Sequence, residues 1–218
     1  MPKLSAAARA RKIKLLLFDV DGVLTDGKLF IFPAPAGTQN SILDQRTHDQ
    51  SAKHAGQGGF GLISQNLIEA KGFHAHDGTS ISLARLAGIK SGLITKRISE
   101  TVALRARDLR LEYVRQGVHD KRTCLEEVVK EAGIRPEEAA FVGDDIIDLP
   151  AMRAAGLAIA VKNARTEVKK ESHYITPNAG GDGALRDAVE FILKAQGKWK
   201  KIVDAYIGER SPATNLAK

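Results

Sequence analysis

Blocks of apolar residues separated by helix-like stretches organise most of this chain. The first block, Ile13–Asp19 (IKLLLFD), is apolar apart from one lysine and ends on an acid. A continuous apolar run of this length is typical of a central strand in a parallel sheet, where both faces are buried. Shorter runs of the same kind predict five more strands: Ser91–Thr95, Glu112–Val114, Ala139–Val142, Ala158–Val161 and His173–Thr176.

The segments between these strands carry helix periodicity and helix boundary residues. They predict helices at Ser80–Ala87, from the cap Ser99 to about Leu109, at Lys121–Ala132, at Ile146–Ala155 and at Ala184–Ala195. Strands that alternate with helices of about ten residues are the signature of repeated βαβ units. We therefore predict an α/β fold, a doubly wound parallel sheet of the Rossmann-like kind.

The regular pattern is interrupted once, after a short predicted hairpin strand at Lys28–Phe32. Residues 33–72 are rich in Pro, Gly, Ser, Gln and His and show little periodicity, which indicates a long, partly mobile insert. A helix is predicted inside it near Gly61–Ala70. We expect residues 1–218 to form a single domain that carries this insert and has basic, flexible ends.

The net charge of +7 is concentrated at the two ends of the chain. Residues 1–14 hold five basic side chains and no acidic one, and residues 194–218 hold six basic and two acidic ones. The stretch between them is slightly acidic. A domain that reads nucleic acid needs basic groups clustered on a folded face. The charge pattern therefore does not favour a nucleic-acid partner.

The composition and the apolar segments of the chain indicate in which cellular compartment the protein works. The 218 residues are 43% hydrophobic and 27% charged, which is typical of a globular domain with a real core. The run Ile13–Phe18 is far shorter than the roughly 20 residues of a membrane-spanning helix, and the basic start lacks the apolar centre of a secretory signal. The only cysteine, Cys124, has no partner for an intrachain disulfide, which fits a reducing compartment. We expect a cytoplasmic protein without a membrane partner.

Polar side chains are predicted to collect at the carboxyl ends of the strands. In open α/β sheets, ligands bind at that edge. Seven such side chains end a strand, follow one or begin a helix: Asp19, Asp21, Thr95, Lys121, Asp144, Asp145 and Asp148. Clustered carboxylates repel each other unless a cation neutralises them, and an oxygen-only ligand set favours Mg²⁺ over Zn²⁺. Carboxylates, Mg²⁺, a lysine and a hydroxyl together suit a phosphoryl group.

The string Asp19–Thr25 (DVDGVLT) resembles the nucleophile motif of the haloacid dehalogenase superfamily of phosphohydrolases. Thr95, Lys121 and Gly143–Asp145 match its three other motifs in the same order. A lone DxD string is a weak signal. Four motifs in order, each at a predicted strand end or helix start, form a specific one.

Within that superfamily the chain is similar to the cap-less 3-deoxy-D-manno-octulosonate 8-phosphate phosphatase group. The similar stretches are DVDGVLTDG at 19–27, HDG at 76–78, LITKRISE at 93–100, QGVHDK at 116–121, GDDIIDLPAM at 143–152 and the tail at 179–198. The resemblance implies a Mg²⁺-dependent phosphatase for a sugar-acid phosphate, acting in lipopolysaccharide precursor synthesis. The insert would stand in place of a cap domain.

The resemblance also implies a role for each matched residue. Asp19 would be the nucleophile and a metal ligand. Asp21 would protonate the leaving sugar oxygen and then activate water, with its backbone carbonyl on Mg²⁺. Thr95 would hydrogen-bond a phosphoryl oxygen, and Lys121 would neutralise charge on the nucleophile and the phosphoryl group. Asp144 would ligate Mg²⁺.

Four more residues receive supporting roles from the same resemblance. Asp145 and Asp148 would bind metal-bound waters or Lys121. Arg97 and Ser99 lie where the group contacts substrate. Members of the group form homotetramers in which a neighbour's hairpin and C-terminal segment help to close the site, so a homotetramer is expected here.

Three departures from the group's pattern concern substrate specificity. Lys96 stands where the group usually has glycine, Asp182 stands where arginine is common, and the insert replaces a much shorter hairpin turn. A nine-carbon keto-sugar acid 9-phosphate, or another small phosphomonoester, is the alternative substrate. Two alternatives of other classes are a non-catalytic phosphosugar-binding partner in an oligomer and a phospho-acceptor switch domain.

Overall fold

The computed structural model describes residues 4–33 and 67–209. The strands in these ranges are β1 Leu15–Phe18, β2 Phe30–Pro33, β3 Leu67–Ala70, β4 Lys90–Ile94, β5 Tyr113–Arg115, β6 Ala139–Gly143, β7 Leu157–Ala160 and β8 Tyr174–Ile175. The helices are α1 Ala6–Ala10, α2 Ala75–Leu86, α3 Glu100–Asp108, α4 Lys121–Glu131, α5 Leu149–Ala154, α6 Thr166–Glu171, α7 Ala184–Ala195 and α8 Trp199–Glu209.

Six of these strands form one parallel sheet in the order β5-β4-β1-β6-β7-β8. The chain starts in the middle with β1, winds outward through β4 and β5, and then returns to fill the other half of the sheet. This is the doubly wound α/β architecture that the pattern predicts, with β1 at its centre. Every residue of β1 is buried, because helices cover both faces of a parallel sheet.

Strand register places three chain exits side by side at one edge of the sheet. Phe18, the last residue of β1, pairs with Leu93 of β4 and with Val142 of β6. The residues that follow these three strands therefore emerge at the same edge. That edge holds the predicted site residues of β1, β4 and β6.

The described residues fall into two compact units, one holding residues 4–28 and 72–209 and the other residues 29–33 and 67–71. Within the second unit, β2 and β3 form an antiparallel pair in which Phe30 faces Ala70 and Pro33 faces Leu67. The single-domain organisation stays a prediction. Most of the predicted insert, residues 34–66, and the outermost chain ends lie outside the described residues.

The helix predicted near Gly61–Ala70 is wrong where the structure describes it, because Leu67–Ala70 is strand β3. This segment follows a region without periodicity, and its pairing with β2 fixes its conformation. Three short or terminal helices, α1, α6 and α8, were not predicted. In α1, Ser5 accepts a hydrogen bond from the Ala8 N–H, so this one-turn helix depends on its cap.

The helix predicted at Ile146–Ala155 is divided. A 3₁₀ turn covers Ile146–Asp148, and α5 begins after it with Pro150 in its first turn, where a missing N–H costs nothing. The division points the Asp148 side chain inward, where it is fully buried. No helix in the two described ranges is both long and apolar enough to cross a membrane.

Candidate active site

Asp19 follows β1 directly and lies at the centre of the sheet edge. Its backbone N–H donates to the Val142 carbonyl of β6 at 3.0 Å, which continues the pairing of the two strands by one residue. The side chain is 6% exposed. A buried carboxylate needs a compensating partner, and the structure provides one.

That partner is Lys121, the first residue of α4. Its Nζ lies 2.9 Å from Oδ1 of Asp19 and 2.6 Å from Oδ1 of Asp148. The preceding residue, Asp120, caps α4 by accepting hydrogen bonds from Arg122 and Thr123 N–H, which fixes where the helix begins. The helix start therefore delivers one buried ammonium group between two buried carboxylates.

Asp148 organises the turn that follows β6. Its Oδ2 accepts hydrogen bonds from the backbone N–H of Asp144 at 3.0 Å and of Asp145 at 3.3 Å, while its Oδ1 faces Lys121. Gly143 leaves room for it, since a Cβ there would lie 2.6 Å from the Asp148 Cβ. The Asp145 carboxylate accepts from the Ile146 N–H at 2.7 Å.

Asp144 completes an acidic cluster. One carboxylate oxygen each from Asp19, Asp144 and Asp148 lies within 4.8 Å of the others. Oδ1 of Asp144 is buried and has no hydrogen-bond partner within the described part of the chain. A buried carboxylate oxygen without a donor is costly unless a cation meets it.

The pKa values of Asp19 and Asp144 reflect the repulsion between the carboxylates of this cluster. Burial and the Asp148 carboxylate raise the pKa of Asp19 to about 6, against the opposing pull of Lys121. Burial and the neighbouring carboxylates of Asp148, Asp19 and Asp145 raise the pKa of Asp144 to about 7. Burial alone would lower the pKa of Lys121, yet its two carboxylate partners outweigh burial and raise it. Three carboxylates that share one ammonium group carry an excess of negative charge, and their oxygen ligands fit a hard divalent cation such as Mg²⁺.

Asp21 lies in the loop that leaves β1, and its side chain is partly exposed. Arg97 reaches it from the loop after β4, with Nε 3.6 Å from Oδ2 of Asp21. The next residue, Gly22, has φ +98°, and a Cβ there would lie 2.2 Å from Oδ2 of Asp144. A residue without a side chain is therefore required where this loop passes Asp144.

Thr95 and Ser99 lie on the segment that follows β4, and both are buried. The Thr95 backbone is held on both sides, since its N–H donates to Arg115 and its carbonyl accepts from Val118. Ser99 is the N-cap of α3: its Oγ accepts from the Val102 N–H, and its own N–H donates to Oε1 of Gln116. The substrate contact predicted for Ser99 stays a prediction beside this capping role.

Gly180 and Gly181, which were not among the predicted site residues, pack against the loop after β1. A Cβ on Gly180 would lie 1.7 Å from the Gly22 carbonyl oxygen, and one on Gly181 would lie 2.2 Å from the Asp26 nitrogen. The Gly180 N–H donates to Oδ1 of Asn163 at 2.9 Å. Two adjacent glycines are the sequence signal for so close a backbone approach.

The sequence profile of haloacid dehalogenase-like hydrolases matches residues 7–186. The 3-deoxy-D-manno-octulosonate 8-phosphate phosphatase KdsC of Escherichia coli K12 is 32% identical over 191 residues, which cover 88% of this chain and 85% of the relative.

Two solved structures are also similar. The phosphatase of the same name from Moraxella catarrhalis, in complex with magnesium, phosphate and a KDO molecule, is 32% identical, with a TM-score of 0.74 over 92% of this chain and 97% of that one. The Yersinia pestis enzyme is 30% identical, with a TM-score of 0.72 over 89% and 88%.

Proposed function

This chain belongs to the haloacid dehalogenase-like hydrolases, and we propose that it is a Mg²⁺-dependent phosphatase that hydrolyses 3-deoxy-D-manno-octulosonate 8-phosphate. The observation that carries the reaction class is the buried Lys121 ammonium between Asp19 and Asp148, beside an Asp144 oxygen that has no hydrogen-bond partner among the described residues. The arrangement places a nucleophile, a fixed positive charge and carboxylate oxygens that can ligate a cation next to one another. The substrate comes from the relatives of the preceding subsection.

Asp19 begins the proposed reaction. One of its carboxylate oxygens attacks phosphorus, the bond between phosphorus and the sugar oxygen breaks, and Asp21 gives its proton to that leaving oxygen. The product is an aspartyl-phosphate and a free sugar acid. Asp21 then takes a proton from water, which attacks phosphorus and releases phosphate and Asp19.

Lys121 and Thr95 support both steps. The ammonium group of Lys121 balances the negative charge of Asp19 and of the incoming phosphoryl group, and the Thr95 hydroxyl donates to a phosphoryl oxygen. Donors that are already in place cost no reorganisation when charge develops. Burial of both residues keeps water from weakening these interactions.

The carboxylates of Asp19 and Asp144, with the Asp21 backbone carbonyl, would hold the Mg²⁺ ion. When bound, the ion supplies positive charge to the phosphoryl oxygens. The Asp148 oxygens are already taken by Lys121 and by two backbone N–H groups, so Asp148 orients its neighbours. We assign Asp145 a supporting role at the same turn.

Recognition of the sugar acid is assigned to Arg97. Its side chain is 47% exposed, so it can turn from Asp21 toward a substrate carboxylate. A guanidinium binds a carboxylate with two parallel hydrogen bonds. Lys96 and Asp182 are the two single-residue departures from the group's pattern that could shift this preference.

We also propose an oligomeric state and a cellular compartment for this protein. In the hairpin of β2 and β3, Phe30, Ile31, Phe32 and Ile68 are exposed apolar side chains, which suits a hairpin that packs against another copy of the chain. We propose a homotetramer that works in the cytoplasm on a lipopolysaccharide precursor. Light scattering after size exclusion would measure the assembly, and a monomer at micromolar concentration would contradict it.

A panel of sugar phosphates tests the substrate. We expect phosphate release from the eight-carbon keto acid to exceed release from a nine-carbon keto acid 9-phosphate, glucose 6-phosphate and p-nitrophenyl phosphate by at least about tenfold in kcat/KM. Every activity should disappear with chelator. A preference for another sugar phosphate would keep the reaction and overturn the substrate, whereas no turnover of anything by folded, Mg²⁺-bound protein would favour the non-catalytic alternative.

A further inference from the structure

Asp77, in the first turn of α2, is a fully buried acid that the proposed mechanism does not use. Its Oδ1 accepts a hydrogen bond at 2.9 Å from the backbone N–H of Arg186, which lies 109 residues further along the chain. Burial raises the pKa of Asp77, and the nearby backbone N–H groups of Arg186, Gly183 and Leu185 oppose this rise. Asp77 therefore faces the start of α7.

Helix α7 has no cap of its own. Its N-cap residue is Gly183, which has φ +96° and no side chain to accept a hydrogen bond. The first N–H groups of a helix need acceptors, and a negative charge there is favourable because of the helix dipole. Asp77, which belongs to α2, provides an acceptor and a negative charge at this position. The position of the α7 start therefore depends on Asp77.

The segment just before α7 contacts the loop after β1 through backbone atoms. Residues 19–27 of that loop carry Asp19 and Asp21 and are called the nucleophile loop below. The Gly181 N–H donates to the Val23 carbonyl at 2.9 Å, and the space at Gly180 is closed by the Gly22 carbonyl. Asp187 of α7 also holds this segment, since its two carboxylate oxygens accept from the backbone and side chain of Asn178.

The nucleophile loop is sensitive to small shifts. Gly22 follows Asp21 directly and lies so close to Asp144 that no Cβ fits between them. A displacement of the Gly22 backbone would therefore move Asp21 and the Asp144 carboxylate relative to Asp19. Misplacement of reacting groups by about 1 Å can cost about a hundredfold in rate.

We propose that Asp77 is a positioning residue for the phosphatase reaction. It fixes the start of α7, and through Gly180 and Gly181 it fixes the loop that carries Asp21. The inference rests on the proposed function for its effect on rate, but its structural step can be measured without any substrate.

Three variants separate positioning from general stability. Asp77→Ala removes the acceptor. Asp77→Asn keeps an oxygen for the Arg186 N–H and removes the charge. The matched control is Gln196→Ala at the opposite end of α7, where the Gln196 Nε2 donates to the carbonyls of Ile13 at 2.8 Å and Ala10 at 3.2 Å.

Hydrogen–deuterium exchange of the peptide covering residues 19–27 is the first readout. We expect Asp77→Ala to speed exchange there by about tenfold or more, Asp77→Asn to have a smaller effect in the same direction, and Gln196→Ala to leave this peptide at the wild-type rate. If Asp77→Ala does not fold, Asp77→Asn decides. Wild-type exchange at 19–27 in a folded Asp77 variant would overturn the inference, as would equal acceleration in the Gln196 control.

Steady-state kinetics with Mg²⁺ is the second readout. We expect Asp77→Ala to lower kcat by about ten- to a hundredfold, to change KM little, and to be partly rescued in Asp77→Asn. Equal losses in Asp77→Ala and Gln196→Ala would point to stability alone and overturn the inference. If the wild-type protein turns over no phosphate ester, the proposed function fails, and the exchange result still decides the role of Asp77.

Discussion

The Lys121 ammonium lies 2.9 Å from Oδ1 of Asp19, and both side chains are almost completely buried. Asp148 holds the other side of the ammonium at 2.6 Å. One positive charge therefore serves two buried negative ones, with a third carboxylate nearby. The site has an excess of negative charge that a divalent cation would relieve, and several consequences can be measured.

Replacing Lys121 by methionine keeps most of the side-chain volume and removes the charge. Two carboxylates then lose their buried partner, which costs about 3–5 kcal/mol of the free energy of unfolding. We expect kcat to fall by at least about a hundredfold. Chemical denaturation and phosphate release measure the two effects. The control is Lys194→Met, at an exposed lysine that pairs with Glu190, and a Lys121→Met variant that matches this control would contradict the assignment.

The raised pKa values of Asp19 and Asp144 predict how stability depends on pH. The unfolded carboxyls release their protons near pH 4, whereas the folded ones hold them until about pH 6 and about pH 7. Between these values the folded state binds more protons, so the metal-free protein loses stability as pH rises from about 4 to 7. Thermal unfolding in chelator measures this loss.

The same protons compete with Mg²⁺. We expect the cation to raise the unfolding temperature strongly at pH 8 and weakly at pH 5, because the carboxylates must ionise to bind it. Asp144→Asn removes one of the two titrating groups and should flatten the pH dependence. An equal Mg²⁺ effect at both pH values would show that these carboxylates are not the ligands.

Gly22→Ala should damage the metal site specifically. The new Cβ would lie 2.2 Å from Oδ2 of Asp144, whereas a Cβ on Gly88 meets nothing within 4 Å among the described residues. Both glycines have positive φ, +98° and +79°, so Gly88→Ala matches the backbone strain without the contact. We expect Gly22→Ala to weaken Mg²⁺ binding by about tenfold or more in calorimetry, and Gly88→Ala to leave it unchanged. Equal affinities in the two variants would contradict the close approach.

The fold was predictable where local pattern and topology agree. The apolar run Ile13–Asp19 indicated the central strand, and α7 begins and ends at the residues that its periodicity predicts. Strand β3 was missed because its pairing with β2, not its own sequence, sets its conformation. Helix α8 was missed because tertiary contacts hold its start: Arg186 and Lys194 lie over the Trp199 ring at 5.1 and 5.4 Å.

The site was predictable as a set of residues but not as a set of contacts. Spacing along the chain placed Asp19, Lys121 and Asp144 at neighbouring strand ends and helix starts. It could not show that Asp148 turns both of its oxygens inward, because that depends on the 3₁₀ turn before α5. Nor could it show that Asp77 caps α7, because that contact joins residues 109 positions apart.

Phosphate release by wild type and Asp19→Asn, side by side with Mg²⁺ and with chelator, tests the central claim most directly. The account predicts that wild type with Mg²⁺ releases phosphate from the eight-carbon keto acid 8-phosphate. It also predicts that Asp19→Asn releases none, although its circular dichroism spectrum and cooperative unfolding match those of wild type. A folded Asp19→Asn variant that retains activity, or wild-type activity that survives the chelator, would contradict the account.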